Sequence, residues 1–249
     1  MAQAKCPFMG FCMSAELKNA LQRISLIVAL SSSCGDTLAE RVMERLNRGV
    51  VAVETNDGVF VSWRLFATGP QSTEFNVYRV EGNTPPQLLN AVPLSKGTNF
   101  TDTQNPSLGT VSYFVRAVSD GVEGESSPKA EVWRNGFREI PIQILDNYRA
   151  GDASIADLDG DGEYEFVLHQ VSNPKDNAHS GITGTPILDA YEWNGTLKWR
   201  INLGKNIREG EHYTQFMVYD LDGDGKAELA CKTADGTIDG RGNVIGDAT

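Results

Sequence analysis

Two short acidic stretches constrain this chain more than anything else in it. The first is Asp157-Leu158-Asp159-Gly160-Asp161-Gly162-Glu163-Tyr164-Glu165, and the second is Asp220-Leu221-Asp222-Gly223-Asp224-Gly225-Lys226-Ala227-Glu228. Each sets carboxylates at positions 1, 3, 5 and 9, with glycines at 4 and 6. Carboxylates this close repel one another, and a divalent cation removes that cost. Ca2+ suits the pattern because it takes about 6–8 hard oxygen ligands in a flexible shell. The glycine at position 6 permits the sharp turn. The expected ligands are Asp157, Asp159, Asp161 and Glu165, then Asp220, Asp222, Asp224 and Glu228. Position 7, Glu163 or Lys226, would lend its backbone carbonyl. The competing reading is a solvated acidic turn without metal; two full copies at fixed spacing favour the ion.

These loops are not helical EF-hands. The closing acid comes at position 9 instead of 12, and short apolar runs follow, Phe166-Val167-Leu168 and Leu229-Ala230-Cys231, which read as strands. The chain is acidic, with 33 acids, 22 bases and a net charge of −11. Such a chain is a poor general binder of nucleic acid, and no basic patch with interleaved aromatics offsets this. Its four cysteines, Cys6, Cys12, Cys34 and Cys231, form no disulfide framework. A Cys6–Cys12 metal pair lacks any supporting Cys or His spacing.

Residues 1–40 read as a targeting leader. Lys18 and Arg23 precede Ile24-Ser25-Leu26-Ile27-Val28-Ala29-Leu30, which is too short to span a bilayer but fits a signal h-region. Cleavage after Thr37-Leu38-Ala39 fits the small-x-small rule, and Ser31-Ser32-Ser33-Cys34 is an alternative lipoprotein site. A buried or disordered N-terminus is the plainer reading. Export agrees with loops tuned to external calcium. The expected location is therefore secreted or cell-surface, with no transmembrane helix in the mature chain.

Residues 41–135 read as an all-β module. Strand-like segments recur at Val50–Glu54, Val59–Arg64, Phe75–Val80, Asn99–Asp102, Ser112–Ser119 and Ala130–Trp133, with turns at Asn56-Asp57-Gly58 and Asp120-Gly121. The strings Val61-Ser62-Trp63, Phe75-Asn76-Val77-Tyr78-Arg79 and Tyr113-Phe114-Val115-Arg116-Ala117-Val118 resemble a fibronectin type III sandwich. It would bind sugar or serve as a spacer; no cluster of exposed aromatics stands out.

Residues 136–249 follow a different rhythm. A strand enters the first acidic loop and another leaves it. Ile187–Trp193, Asn194-Gly195 and Thr196–Ile201 then predict a hairpin with a tight turn, and a long loop leads to the second copy. A repeat of this kind predicts successive four-stranded blades of a β-propeller. Propellers close with about 4–8 blades, so about two blades, the second incomplete, are expected here, as the N-terminal part of a longer protein.

Three blocks carry a family resemblance. They are Met43-Glu44-Arg45-Leu46-Asn47-Arg48-Gly49, Tyr148-Arg149-Ala150-Gly151-Asp152, and the run from His212-Tyr213-Thr214-Gln215-Phe216-Met217-Val218-Tyr219 to Lys226, with Lys232-Thr233-Ala234-Asp235-Gly236-Thr237 after it. In these the chain resembles family 11 rhamnogalacturonan lyases over roughly residues 41–249. The resemblance implies an eight-bladed calcium-binding propeller behind a fibronectin-like module, bacterial export, and β-elimination at rhamnose–galacturonate bonds of rhamnogalacturonan I, a pectic polysaccharide. It also marks two departures. Members often carry Asn at Gly151 and a Trp-Asp pair at Gln170-Val171, and those family positions touch the sugar.

β-Elimination on a uronate needs a group that neutralises the carboxylate and a base for the adjacent proton. The candidates for substrate contact are Asp152, His169 and Lys232; Lys232 and His212 are the candidates for catalysis. His169 and Lys232 occupy equivalent places in the two copies. The bland reading of each is a solvated strand-end residue, and no base is assigned. Lys205 and Arg208 would attract the polyanion or simply face solvent. The loop-bound ions are expected to be structural, and the protein to act as a monomer. A different class also fits the loops, a non-catalytic calcium-binding propeller for adhesion or carbohydrate binding.

Overall fold

The computed structural model describes residues 44–67, 69–70, 72–104, 110–210 and 212–247. The expected leader, with Cys6, Cys12 and Cys34, lies outside them. The described residues form sixteen strands and one short 3-10 turn, Arg134–Gly136. Among them no helix is long and apolar enough to cross a membrane.

Eight strands precede that turn. They are β1 (Val51–Thr55), β2 (Gly58–Ser62), β3 (Glu74–Glu81), β4 (Gln87–Leu88), β5 (Asn99–Asp102), β6 (Val111–Ser119), β7 (Val122–Ser126) and β8 (Ala130–Trp133). Asp120 and Gly121 both take positive φ, 52° and 77°. That two-residue turn matches the twist of the strands it joins, β6 and β7. The expected pair of separate sheets is instead one continuous sheet, ordered β4-β3-β6-β8-β1-β2-β5 with β7 beside β6. The reason is β8. Its first half pairs antiparallel with β6 at Ser112 and Tyr113, and its second half pairs parallel with β1 at Ala52 and Val53. The sheet therefore curls around a core in which Ala52 and Val61 from one half meet Phe75, Val77, Tyr113 and Val115 from the other.

Beneath that core lies a buried polar cluster. Arg79 donates to Asp102 at 2.6 Å, and the Tyr113 hydroxyl donates to the same carboxylate oxygen at 2.9 Å. Burial and the adjacent carboxylate push the Tyr113 phenol well above its ordinary pKa.

After the turn, β9 (Arg149–Ala156), β10 (Glu165–Val171), β11 (Ile187–Tyr191) and β12 (Leu197–Asn202) form an antiparallel meander. The hairpin β15 (Thr237–Ile238) and β16 (Val244–Ile245) extends it beyond β12, while β13 (Phe216–Tyr219) and β14 (Glu228–Cys231) make a separate pair. Every residue of β10 is buried because both of its faces are covered. Val167 meets Leu188, Ala190, Val218 and Ala227 between the meander and the β13–β14 pair. Phe166 and Leu168 meet Tyr191, Ile140 and Ile142 on the opposite face.

The Asn194-Gly195 hairpin forms, with a different turn from the expected one. Only Gly195 takes positive φ, at 85°. Its N–H donates to Glu192 O at 2.9 Å, and Glu192 N–H donates to Thr196 O at 3.0 Å. The longer turn shifts the register. Ala190 faces Trp199 and Tyr191 faces Leu197, so Lys198 is left as a bulge.

The Arg79–Asp102 pair yields the first expected outcome. Asp102→Ala removes the buried carboxylate and leaves Arg79 with the exposed Glu81 and two glutamines; it should lower unfolding stability by about 3 kcal/mol, read from the midpoint of urea denaturation.

Candidate functional site

The two acidic loops match bond for bond. In the first, Asp157 accepts Gly160 N–H at 2.6 Å and Gly162 N–H at 2.9 Å. In the second, Asp220 accepts Gly223 N–H at 2.7 Å and Gly225 N–H at 3.0 Å. Asp159 and Asp222 each accept the N–H two residues on, and so do Asp161 and Asp224. Glu165 and Glu228 each reach back to the N–H of the loop's second residue, both at 2.8 Å. The glycines take φ of 81° and 91° in the first loop and 79° and 93° in the second. A side chain at any of these positions would be strained.

This folding brings together Asp157, Asp159 and Glu165, and separately Asp220, Asp222 and Glu228, with carboxylate oxygens within 4.8 Å of one another. Asp161 and Asp224 stand outside these two groups, and the Glu163 carboxylate accepts from Asn47 instead. The donors are all hard oxygens, which fits a divalent cation of the Ca2+ type. The first loop also carries an internal cation: Lys198 Nζ lies 2.5 Å from Asp159 and 3.8 Å from Glu165. Its hydrogen bond holds Asp159 below the usual carboxylate range. Burial holds Glu165 above that range.

The loops are joined to each other and to the start of the chain. Ala227 N–H donates to Asp157 O at 2.7 Å, and Asn47 N–H donates to Gly162 O at 2.7 Å. The Lys226 stem lies over Gly160, and a Cβ on Gly162 would sit 2.9 Å from Arg45 O. Residues 45–47 therefore cap the first loop, a contact with no signal in the loop sequence itself.

A polar cleft of about 820 Å³ opens where β9 approaches the β13–β14 pair. Asp152, Thr214, Gln215, Cys231 and Lys232 are among its lining residues. Here Gly151 and Asp152 together oppose His169, because the β9–β10 register slips between Leu168 and Gln170. A bulge of this kind re-aims a side chain, and it sets Asp152 on the cleft. Cys231 is half-buried there, and burial pushes its thiol pKa up.

Asp152 and Lys232 thus share one cleft, whereas the two histidines do not line it. His169 is 5% exposed, its Nε2 has no hydrogen-bond partner, and burial lowers its pKa. It is a neutral core residue and not the solvated strand end its sequence position suggested. His212 is exposed and pairs through Nδ1 with Asp176 at 2.6 Å. Arg208 is tied to the carbonyls of Gly181, Asp176 and His179.

Two further groups, Glu209 and Asp189, were not foreseen from sequence. Fully buried Glu209 accepts the N–H groups of Ser172 and Asn173 at 2.6 and 2.7 Å, pinning two long loops together. Buried Asp189 is held by Arg200 through two bonds of 2.7 Å, by Tyr191 and by Gln170. Gln170 also bonds Gln143 O and Leu145 N–H, so it anchors the linker between the 3-10 turn and β9, residues 137–148, over β10. Val171 is buried against Gly151, where an added Cβ would lie 2.5 Å from Val171 Cγ2.

An all-β chain with twin hard-oxygen loops and a polar cleft between sheets defines a narrow class, and comparison with known proteins narrows it further. Residues 142–249 match the model of the rhamnogalacturonan lyase family 11 C-terminal domain, and residues 41–133 match that of the rhamnogalacturonan I lyase beta-sheet domain. The chain belongs to the family 11 rhamnogalacturonan lyases. It is 51% identical over 219 residues to the rhamnogalacturonan exolyase YesX of Bacillus subtilis, covering 84% of this chain and 35% of that one. It is 54% identical over 221 residues to the rhamnogalacturonan endolyase YesW of the same organism, covering 84% and 34%. The solved structure of the Bacillus licheniformis rhamnogalacturonan lyase PL11 superposes with a TM-score of 0.76 at 51% identity, covering 84% of this chain and 36% of that one. The chain thus spans about a third of the length of these relatives.

Burial of His169 predicts acid sensitivity. Its folded pKa lies below its unfolded value, so the unfolded chain binds more protons once pH falls through the ordinary histidine range. Stability contributed by the neutral ring is complete above about pH 6.5 and lost below it. His169→Gln should therefore show a smaller fall in melting temperature between neutral pH and pH 5 than the unsubstituted protein, followed by circular dichroism.

Proposed function

We propose that this chain serves a secreted, calcium-dependent rhamnogalacturonan lyase. It would cut the rhamnogalacturonan I backbone of pectin at rhamnose–galacturonate bonds by β-elimination, and the β9–β16 region would begin a propeller. The observation that carries this reading is identity above one half, over most of the chain, to two proteins named as rhamnogalacturonan lyases. One of these is an exolyase and the other an endolyase, so mode of attack is left out of the proposal.

The chemistry assigns work to the cleft. Lys232, which lines the cleft, would pair with a galacturonate carboxylate, drawing charge from C5 as its proton leaves. A base takes that proton, the electron pair forms the C4–C5 double bond, and the glycosidic C4–O bond breaks. The leaving oxygen then takes a proton. Asp152, set on the cleft by its bulge, would accept a hydrogen bond from a sugar hydroxyl. His169 is too deeply buried to touch sugar in this arrangement, and His212 is engaged with Asp176. Bound Ca2+ would offset the clustered carboxylates of the two loops, with Asp157, Asp159, Glu165, Asp220, Asp222 and Glu228 as its side-chain ligands. The loops in turn hold the ends of β9, β10, β13 and β14 in register. Such loops suit the calcium-rich exterior of the cell.

The test is incubation with rhamnogalacturonan I and calcium, following the absorbance of the unsaturated uronate product. Activity should appear with calcium and fall when a chelator is added. Lys232→Ala should reduce kcat/KM by about 10²-fold while the melting temperature stays unchanged. Absence of product at every calcium level would remove the proposal.

A further inference from the structure

The two loops share their backbone bonding but differ in charge. Lys198 Nζ pairs with Asp159 at 2.5 Å and approaches Glu165 at 3.8 Å. Those are two of the three residues whose carboxylates converge in the first loop. No ion pair to Asp220, Asp222 or Glu228 occurs among the described residues. Lys198 owes its position to local geometry. The three-residue turn at Trp193–Gly195 leaves it unpaired in β12, and a bulged residue is re-aimed out of the regular pleat. Its side chain is 18% exposed, so solvent screens the contact only partly. Glu192 stands 3.7 Å from the same ammonium, is 43% exposed, and is not one of the converging residues.

From this asymmetry we infer that Lys198 is a tethered competitor for the first loop. This rests on the calcium reading above. With no divalent cation, the ammonium neutralises Asp159 and Glu165. Filling that loop requires Lys198 to leave them, and Glu192 is the carboxylate that receives it. The first loop is therefore the weaker of the two and fills after the second. An ammonium donates one charge and no oxygen ligands, so a dication outcompetes it only at higher concentration.

Calcium and terbium titrations of the whole chain test this, by calorimetry and by terbium luminescence excited through Tyr164, inside the first loop, and Tyr219, beside the second. The unsubstituted protein should show two unequal sites. Asp222→Asn should weaken the tighter one and so identify it with the second loop. Lys198→Met should tighten the weaker site by about three- to tenfold and leave the tighter site in place. Glu192→Gln should weaken the weaker site further. Lys198→Gln repeats the test should the methionine variant not fold. Calcium should also raise the melting temperature of Lys198→Met more than that of the unsubstituted chain, because its carboxylates begin uncompensated. If the weaker site is unchanged or lost in both Lys198 variants while the second loop still binds, the inference is overturned and the calcium reading survives. If neither loop binds in any form, both fall.

Discussion

Like charges gathered into a tight turn are the constraint on which the second half of this protein depends. Three carboxylates cannot approach within a few ångströms unless something answers their repulsion. The chain answers it first with backbone. In both loops, N–H groups of the glycines and of the residues between them point inward, and that is possible only because four glycines adopt positive φ. The loops in turn fix where β9 stops and β10 starts, and where β13 stops and β14 starts. The cleft opens at the other end of β13 and β14, where Phe216 and Cys231 line it.

The same loops organise contacts over long distances in sequence. The Ala227–Asp157 bond ties one loop to the other, and the Asn47–Gly162 bond ties the first to the segment ahead of β1. The glycines serve two purposes here, since they turn the chain and let a neighbour approach. At Gly162 even a methyl group would meet the backbone of residues 45–47. Two of the blocks that resembled the family, the segment holding residues 45–47 and the run ending at Lys226, thus meet at the first turn.

Strong local signals were readable from sequence. The six principal strands of the first module fall within a residue or two of their expected limits, because Val, Phe, Tyr and Trp alternate along them. Two strands were missed for physical reasons: β4 is two exposed residues long, and β7 is short and largely exposed with no apolar stripe. The Asn194-Gly195 hairpin was found with the wrong turn, since φ at Asn194 depends on register across the whole ribbon. At the cleft, Lys232 and Asp152 could be nominated because strand ends beside loops collect function. The same rule misplaced His169. Its burial follows from layers packed on both faces of β10, which one strand's sequence does not reveal. Glu209, Asp189 and Lys198 were missed because each acts on partners far along the chain. Gln170, singled out as a departure from the family pattern, proves to brace the linker through Gln143 and Leu145.

The strand that curls the first sheet governs its biosynthesis. β1 lies near the start of that module and β8 at its end, yet the two run side by side in the same direction. A chain leaving the ribosome with its amino terminus first can zip β1 to β2 at once, while β1 keeps a bare outer edge. That edge stays open until Trp133 has cleared the exit tunnel, since only then can β8 bridge the two halves. Until then β1 presents unpaired backbone groups, the kind of edge on which another chain can pair.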